Sequence, residues 1–318
     1  MADTKLSVGI DIGSVSINMI AVDQDGKIAA KRPYRRHFGR FLEYLPREYE
    51  ALLKEIGEEN VDIVALTGTH GATVANALRL PHEIETTAAI LGLGSVAPDV
   101  RTIIAIGGFD SAYFTLEKGD TGSPILTNFK LNEACAAGTG SFIDQQAERI
   151  FADDEEFHAI EDQQERTDAI LNKFIELGIT SDDPANVACR CTVFTKSDMI
   201  HLQNRGIMVK HIIRGLHNGV AKNFKSTLIC NLPVDDKIYM IGGYSKNKLA
   251  VSSFEELLGQ KVHIPECAAE VGALGAVLKA RQREEGRQVA VSEFESLADR
   301  EDLKAPRTEV LDFKHSTF

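Results

Sequence analysis

The sequence has no tryptophan, only five cysteines in 318 residues, and no apolar run long enough to cross a bilayer. A spanning helix needs about 20 consecutive apolar residues, so no membrane association of that kind is expected. The opening, M-A-D-T-K-L-S-V-G, lacks the charged and apolar regions of a secretory signal, which points to a cytoplasmic protein. Basic charge is also in short supply: 35 lysines and arginines stand against 47 acidic residues, a formal net charge of −12. Sequence-independent binding to nucleic acid or to an anionic membrane needs the opposite balance, so neither is expected as a partner. The cysteines, Cys135, Cys189, Cys191, Cys230 and Cys267, are odd in number and form no C-x-x-C pair. Their spacing indicates neither a disulfide framework nor zinc, and reduced thiols are the expectation.

What is present is a globular composition, 43% hydrophobic and 26% charged, enough for one large or two medium domains. Residues 6–22 read as two strands joined by the tight turn D-I-G-S, with Asp11, Gly13 and Ser14. A carboxylate at a strand end can hold Mg²⁺ through water, and a glycine turn lets backbone N–H groups approach phosphate; an ordinary β-meander would read the same way. A hairpin turn at 23–26 leads into a third strand. The cluster Y-R-R-H-F-G-R at 34–40 reads as a solvated basic loop. Helices are expected at 40–57, 71–79 and 84–94, with a buried strand at 61–67. The strand T-I-I-A-I then enters Gly107-Gly108-Phe109-Asp110-Ser111 and a further strand, echoing residues 8–22 about 96 residues on (107 minus 11). This spacing suggests an internal duplication whose glycine turns clamp one ligand from two sides. A third strand–glycine turn, K-I-Y-M-I-G-G-Y-S, carries Gly242, Gly243 and Ser245 and opens a helix. A small-residue helix follows at 270–280. The acidic stretch 151–186 reads as an exposed helical insertion, and 283–318 as a polar, irregular tail.

The stretch N-E-A-C-A-A-G-T-G-S-F, residues 132–142, places Cys135 just before a small-residue turn and a helical sequence. A helix N-terminus offers free N–H groups and the positive end of the dipole, which favours a thiolate or a bound anionic group. A small buried cysteine beside a glycine turn fits the same letters.

Together, D-I-G-S, I-G-G-F-D-S and I-G-G-Y-S followed by a small-residue helix resemble the phosphate-1, phosphate-2 and adenosine motifs of the actin, hexokinase and Hsp70 superfamily. Within it, C-A-A-G-T-G-S-F-I-D and R-C-T-V-F-T-K-S-D resemble one branch, the ATPases that activate 2-hydroxyacyl-CoA dehydratases and the ATPase subunits of benzoyl-CoA reductase. The likeness runs over about residues 6–280. It implies an α/β fold of two ribonuclease-H-like, actin-like lobes flanking a nucleotide cleft. The first lobe would hold 1–95 plus the helix 270–282. The second would hold 96–265 with the insertion 151–186, and 283–318 would be a polar C-terminal extension.

The resemblance further implies ATP or ADP with Mg²⁺ organised by Asp11, Asp110 beside it, phosphates on Gly13, Ser14, Gly107 and Gly108, and adenosine beside Gly242, Gly243 and Ser245. Cys135 and Cys191 would ligate a [4Fe–4S] cluster shared by two subunits, as a homodimer or as a heterodimer with a related ATPase chain. Cys189 would be a packed thiol, and Cys230 and Cys267 structural ones. The implied work is electron transfer driven by ATP, from a low-potential donor such as ferredoxin or flavodoxin to an iron–sulfur dehydratase or reductase. One departure stands out: the phosphate-2 motif of the branch carries a leading acid and a lysine where this chain has Ala105 and Ala112, which implies slow hydrolysis. A poorly hydrolysing regulatory subunit is therefore one alternative. A small-molecule kinase of the same superfamily is another, against which the paired cysteine motifs argue.

Overall fold

The computed structural model describes residues 5–119, 124–132, 138–151, 153–300 and 303. Two α/β lobes face each other across a cleft. The first contains β1 (Leu6–Ile12), β2 (Ser16–Val22), β3 (Ile28–Lys31), β4 (Arg35–Arg36), α1 (Phe41–Ile56), β5 (Val61–Thr67), α2 (Gly71–Leu78) and α3 (Glu85–Val96). The second contains β6 (Thr102–Ile106), β7 (Ser111–Lys118), β8 (Pro124–Leu131), α4 (Gly140–Ile150), α5 (Glu155–His158), α6 (Gln163–Ile179), α7 (Thr192–Asn204), α8 (Val209–Phe224), β9 (Ile238–Ile241), α9 (Lys248–Leu258) and β10 (Val262–His263). The chain then returns to the first lobe with α10 (Val271–Gln282) and α11 (Val291–Glu295).

The two sheets share one plan. The first runs β3-β2-β1-β5 with β4 on β2, and the second β8-β7-β6-β9-β10. In each, an antiparallel hairpin (β1–β2, β6–β7) is joined by a parallel strand from a crossover (β5, β9). The expected duplication is visible in the register. Asp11 pairs with Asn18, and Ala105 with Ala112, an offset of 94 in each case (105 minus 11, 112 minus 18).

Strands β1 and β2 are buried almost throughout, without alternation, because both faces of their sheet are covered. On one face Val8, Ile10 and Val64 pack with Leu45, Tyr49 and Leu52 of α1. On the other, Ile20 and Ala65 meet α3 and α10, whose far side reaches Ile103, Phe114 and Ile241 of the second sheet. The helix pair α3–α10 thus lies between the two sheets. Glycine makes that possible. A Cβ on Gly275 would stand 1.8 Å from the Ala88 carbonyl, one on Gly92 2.0 Å from that of Val271, and one on Gly9 2.0 Å from that of Ala273.

Three stretches differ from the expectation. Arg36 and His37 are buried, so 34–40 is not a solvated loop. Helix α6 exposes its acids but buries Thr167, Ile170 and Phe174, the last two in the second-lobe core, so 151–186 is more than an outlying insertion. Residues 289–300 are not an irregular tail: Val289, Phe294 and Leu297 are fully buried against the first sheet, and Tyr49 Oη donates to the Val289 carbonyl at 3.0 Å. Three apolar residues spaced among charges carried too little periodicity to reveal this. Among the described residues no helix is long and apolar enough to cross a membrane.

Because backbone rather than flexible side chain meets the absent Cβ, Gly275→Ala should force α10 from α3. We expect a loss of about 1–3 kcal/mol of unfolding free energy by denaturant titration, the usual range for overpacking. An unchanged midpoint would mean that the helices part freely.

Candidate active site

The three glycine turns converge. Gly13 and Ser14 follow β1, Gly107 and Gly108 follow β6, and Gly242 and Gly243 follow β9; all six line one cavity between the lobes. Asp11 and Asp110 line it as well. Each turn is held by backbone. The Gly13 N–H donates to Ser16 O (3.0 Å), that of Gly107 to Asp110 O (2.8 Å) and that of Gly242 to Ala268 O (2.9 Å). Gly242 has φ +90°, and a Cβ there would lie 2.3 Å from the Ile106 carbonyl, so the third turn rests directly on the second. His37 supports the first: the Gly39 N–H donates to Nδ1 (3.1 Å), leaving Nε2 to donate to the Gly13 carbonyl (3.0 Å). Burial lowers the His37 pKa and favours this neutral tautomer. Ser245 is not a lining residue. It is buried and its hydroxyl donates to the Gly242 carbonyl at 2.7 Å, bracing the turn from behind.

The cavity is small, about 160 Å³, below the roughly 300 Å³ at which small-molecule sites begin. A second cavity of about 440 Å³ adjoins it, sharing Val15, Tyr34, Gly107, Gly108 and Gly243. Val15 divides them: its Cγ2 lies 2.2 Å from where a Gly108 Cβ would be. The lobes are also clasped. Arg36 NH1 reaches Asp168 Oδ1 on α6 at 2.7 Å and its Nε reaches Asp144 Oδ2 on α4 at 3.3 Å, while its backbone N–H donates to Gln164 Oε1 at 2.9 Å. Tyr34 stands between two cations, with Arg36 Cζ 5.3 Å and Lys246 Nζ 4.7 Å from its ring centre. Neither Tyr34 nor Lys246 was legible as a site residue, because each matters only through the fold that brings them together.

The cleft is acidic. Burial, then the charges of Glu85 and Glu270, push the Asp11 carboxyl up to about 7. Glu85 is raised by burial and by Asp110, and Glu270 by burial. Among the described residues no three such side chains gather closely enough to hold a metal by themselves, so Asp11, a carboxylate lining the cavity of the glycine turns, fits an Mg²⁺ ion held through water and phosphate rather than in a protein cage.

The second site cysteine, Cys191, is the N-cap of α7 and half-exposed, at the start of a helix whose Val193 and Phe194 are 67% and 71% exposed. An accessible thiol at a helix N-terminus fits a soft metal centre. Cys189 does not: it is buried, its thiol is pushed up to about 12 chiefly by burial, and its Sγ lies 2.4 Å from where a Gly219 Cβ would stand. Cys267 is buried too, whereas Cys230 is exposed, with Lys130 Nζ donating to its Sγ at 3.2 Å. Cys135 lies outside the described residues. Helix α4, which follows it, starts on the second glycine turn: the Gly140 N–H donates to Gly107 O (2.9 Å) and that of Ser141 to Gly108 O (3.0 Å).

The raised Asp11 pKa has a signed consequence. Above the unfolded value of 3.8 the unfolded chain has released a proton that the folded one still holds. Without nucleotide or Mg²⁺, this group's contribution to stability therefore falls as pH rises from about 4 to about 7. Asp11→Asn should flatten the profile across that window by up to about 1.4 kcal/mol per pH unit; parallel wild-type and variant profiles in denaturant would refute the assignment.

Known proteins resemble this chain in sequence and in fold. A 2-hydroxyisocaproyl-CoA dehydratase activator of Clostridioides difficile is 28% identical over 276 residues, covering 86% of this chain and 94% of its own. The solved structure of Acidaminococcus fermentans (R)-2-hydroxyglutaryl-CoA dehydratase component A superposes with a TM-score of 0.73 at 26% identity, over 88% of this chain and 99% of that one. An activator of 2-hydroxyisocaproyl-CoA dehydratase from Clostridium difficile, with bound ADPNP, superposes at 0.71 and 25% identity, over 94% and 100%. The two-lobed α/β fold is therefore that of the actin-like ATPases. The family model described as the BadF/BadG/BcrA/BcrD ATPase family matches residues 8–280, and this chain belongs to that family.

Proposed function

We propose that this chain binds and hydrolyses ATP between its lobes and uses that cycle to deliver a single low-potential electron to a partner metalloenzyme. The partner would be a 2-hydroxyacyl-CoA dehydratase, benzoyl-CoA reductase or a related reductive-activation system. The observation that carries this reading is the hydrogen bonding of the second glycine turn to the start of α4. A phosphate drawn to Gly107 and Gly108 would pull on the start of α4, so nucleotide state would be coupled to the position of that helix.

In this reading Gly13, Ser14, Gly107 and Gly108 hold phosphates with backbone groups, the Gly13 and Gly107 N–H groups bracing the turns while Ser14 and Gly108 turn theirs to the ligand. Asp11 holds Mg²⁺ through water, Asp110 faces it, and Gly242 and Gly243 pass beside the adenosine with Ser245 bracing them. Cys191 and Cys135 from each of two chains hold one [4Fe–4S] cluster, which supplies the single electron when bound. Two thiolates per chain cannot complete four ligands, so a two-fold dimer, or a pair with a related ATPase chain, is required. The exposed Val193 and Phe194 beside Cys191 are what such a second chain would cover. The electron would come from a ferredoxin or flavodoxin. The working units are the lobe of about residues 1–95 with the helix 270–282 and the lobe of about 96–265. The paired alanines Ala105 and Ala112 favour one second reading, a poorly hydrolysing regulatory subunit of a hetero-oligomer.

The test is iron per chain alongside solution mass, prepared without oxygen. We expect about four irons per two chains. Cys135→Ser and Cys191→Ser should each lose iron and weaken the dimer, while Cys189→Ser, Cys230→Ser and Cys267→Ser keep both. A full complement of iron in a monomer defeats the reading. A chain that gains iron only when a second ATPase subunit is added favours the alternative. Asp11→Ala should abolish Mg²⁺-dependent ATP binding measured by calorimetry; retained binding would remove Asp11 from the site.

A further inference from the structure

The duplication exposes an asymmetry in the cleft. Asp11 and Asn18 pair on the first sheet, Ala105 and Ala112 at the equivalent place on the second, and all four side chains face the same cavity. One wall is polar where its counterpart carries only methyl groups. Transfer of a phosphoryl group to water needs a residue that fixes the attacking water in line with the leaving oxygen. The wall at Ala105 offers none.

The first lobe fills that gap. Glu85 opens α3 and lines the cavity, as does Ala89 one turn on, so this face of α3 is turned towards the glycine turns. Thr69, which lines the same cavity, donates from Oγ1 to Glu85 Oε1 at 3.2 Å and helps orient the carboxylate. Helix α3 cannot withdraw, since its Gly92 lies on the α10 backbone and the Gly275 of α10 lies on its own. Glu85 is exposed to water and lines the cavity together with Asp11 of its own lobe and Asp110 of the other. The cavity is no bare acidic cluster: three glycine turns build it, and a relative of the same fold holds ADPNP.

We propose that Glu85 orients and deprotonates the water that attacks ATP, the task that the methyl groups of Ala105 and Ala112 cannot perform, while Asp110, the acid of the second-lobe wall, faces the Mg²⁺ ion. The inference rests on the ATP-hydrolysing reading above and names its general base. The water oxygen forms a bond to the terminal phosphorus as the bond from that phosphorus to the bridging oxygen breaks. ADP leaves with the electron pair. The proton of the water passes to the Glu85 carboxylate and from there to solvent, leaving inorganic phosphate and an ionised Glu85. Because Glu85 stands on the lobe opposite Gly107 and Gly108, hydrolysis then requires the lobes to be closed.

The experiment uses the full chain with Mg²⁺, following phosphate release from ATP and, separately, ADPNP binding by calorimetry. Gln at 85 keeps the shape and the hydrogen bond from Thr69. Glu85→Gln should lower turnover by about 100-fold or more, the usual worth of a general base, while ADPNP affinity stays within about threefold. Ala105→Asp in the Glu85→Gln background should restore at least about tenfold by returning a carboxylate from the facing wall, a rescue that a merely structural role for Glu85 would not show. Unchanged turnover in Glu85→Gln, or a double variant no faster than the single one, overturns the proposal and leaves the ATPase reading standing. A wild-type chain that binds ADPNP but hydrolyses no ATP overturns the proposal and supports the regulatory reading. One that neither binds nor hydrolyses overturns both.

Discussion

The close approach of α10 to α3 and β1 is the contact on which the rest of the structure depends. Three glycines, Gly9, Gly92 and Gly275, remove the side chains that would hold these backbones apart. The resulting helix pair forms the floor shared by both sheets, and apolar side chains from both pack against it. The site inherits its geometry from that floor. Gly272 opens α10 against the Asp11 carboxylate, whose Oδ2 lies 2.8 Å from where a Cβ would be. Glu85 stands at the start of α3. Any loosening of the pair would therefore move the acids of the cleft as well as weaken the core.

A second dependence runs from the nucleotide turns outward. The N–H groups at the start of α4 are satisfied by the carbonyls of Gly107 and Gly108 rather than by a side-chain cap. The Ser141 hydroxyl also donates to the Gly108 carbonyl at 2.6 Å, so the start of the helix is tied to the turn. Farther along the same helix Asp144 is tied to Arg36 of the first lobe. Helix α4 is thus held at one end by the phosphate turn and along its length by the opposite lobe. Closure of the cleft has two handles on α4.

Much of this was legible in the sequence, for a physical reason. Strands that end in glycine turns are local patterns, and D-I-G-S, I-G-G-F-D and I-G-G-Y-S each announced a place where backbone must come close to something. The cavity gathers all three turns. What stayed hidden depended on distant partners. Arg36 looked like one charge in a basic loop because Asp144 and Asp168 lie over a hundred residues away. Glu85 did not stand out, since nothing local distinguishes one acid at the start of a helix from any other. Phe294 and Leu297 looked like isolated apolar residues in a polar tail until α1 was seen to need a cover. The duplication was visible, but its offset of 94 came only from strand register.

The Val15 contact with Gly108 and the Arg36 clasp join the same two lobes beside the cleft. Parting the lobes there would undo two partly buried ion pairs and a tight apolar contact together. The lobes are thus latched as well as packed, and the width of the cleft is set by charge pairs that lie outside the cavity of the glycine turns.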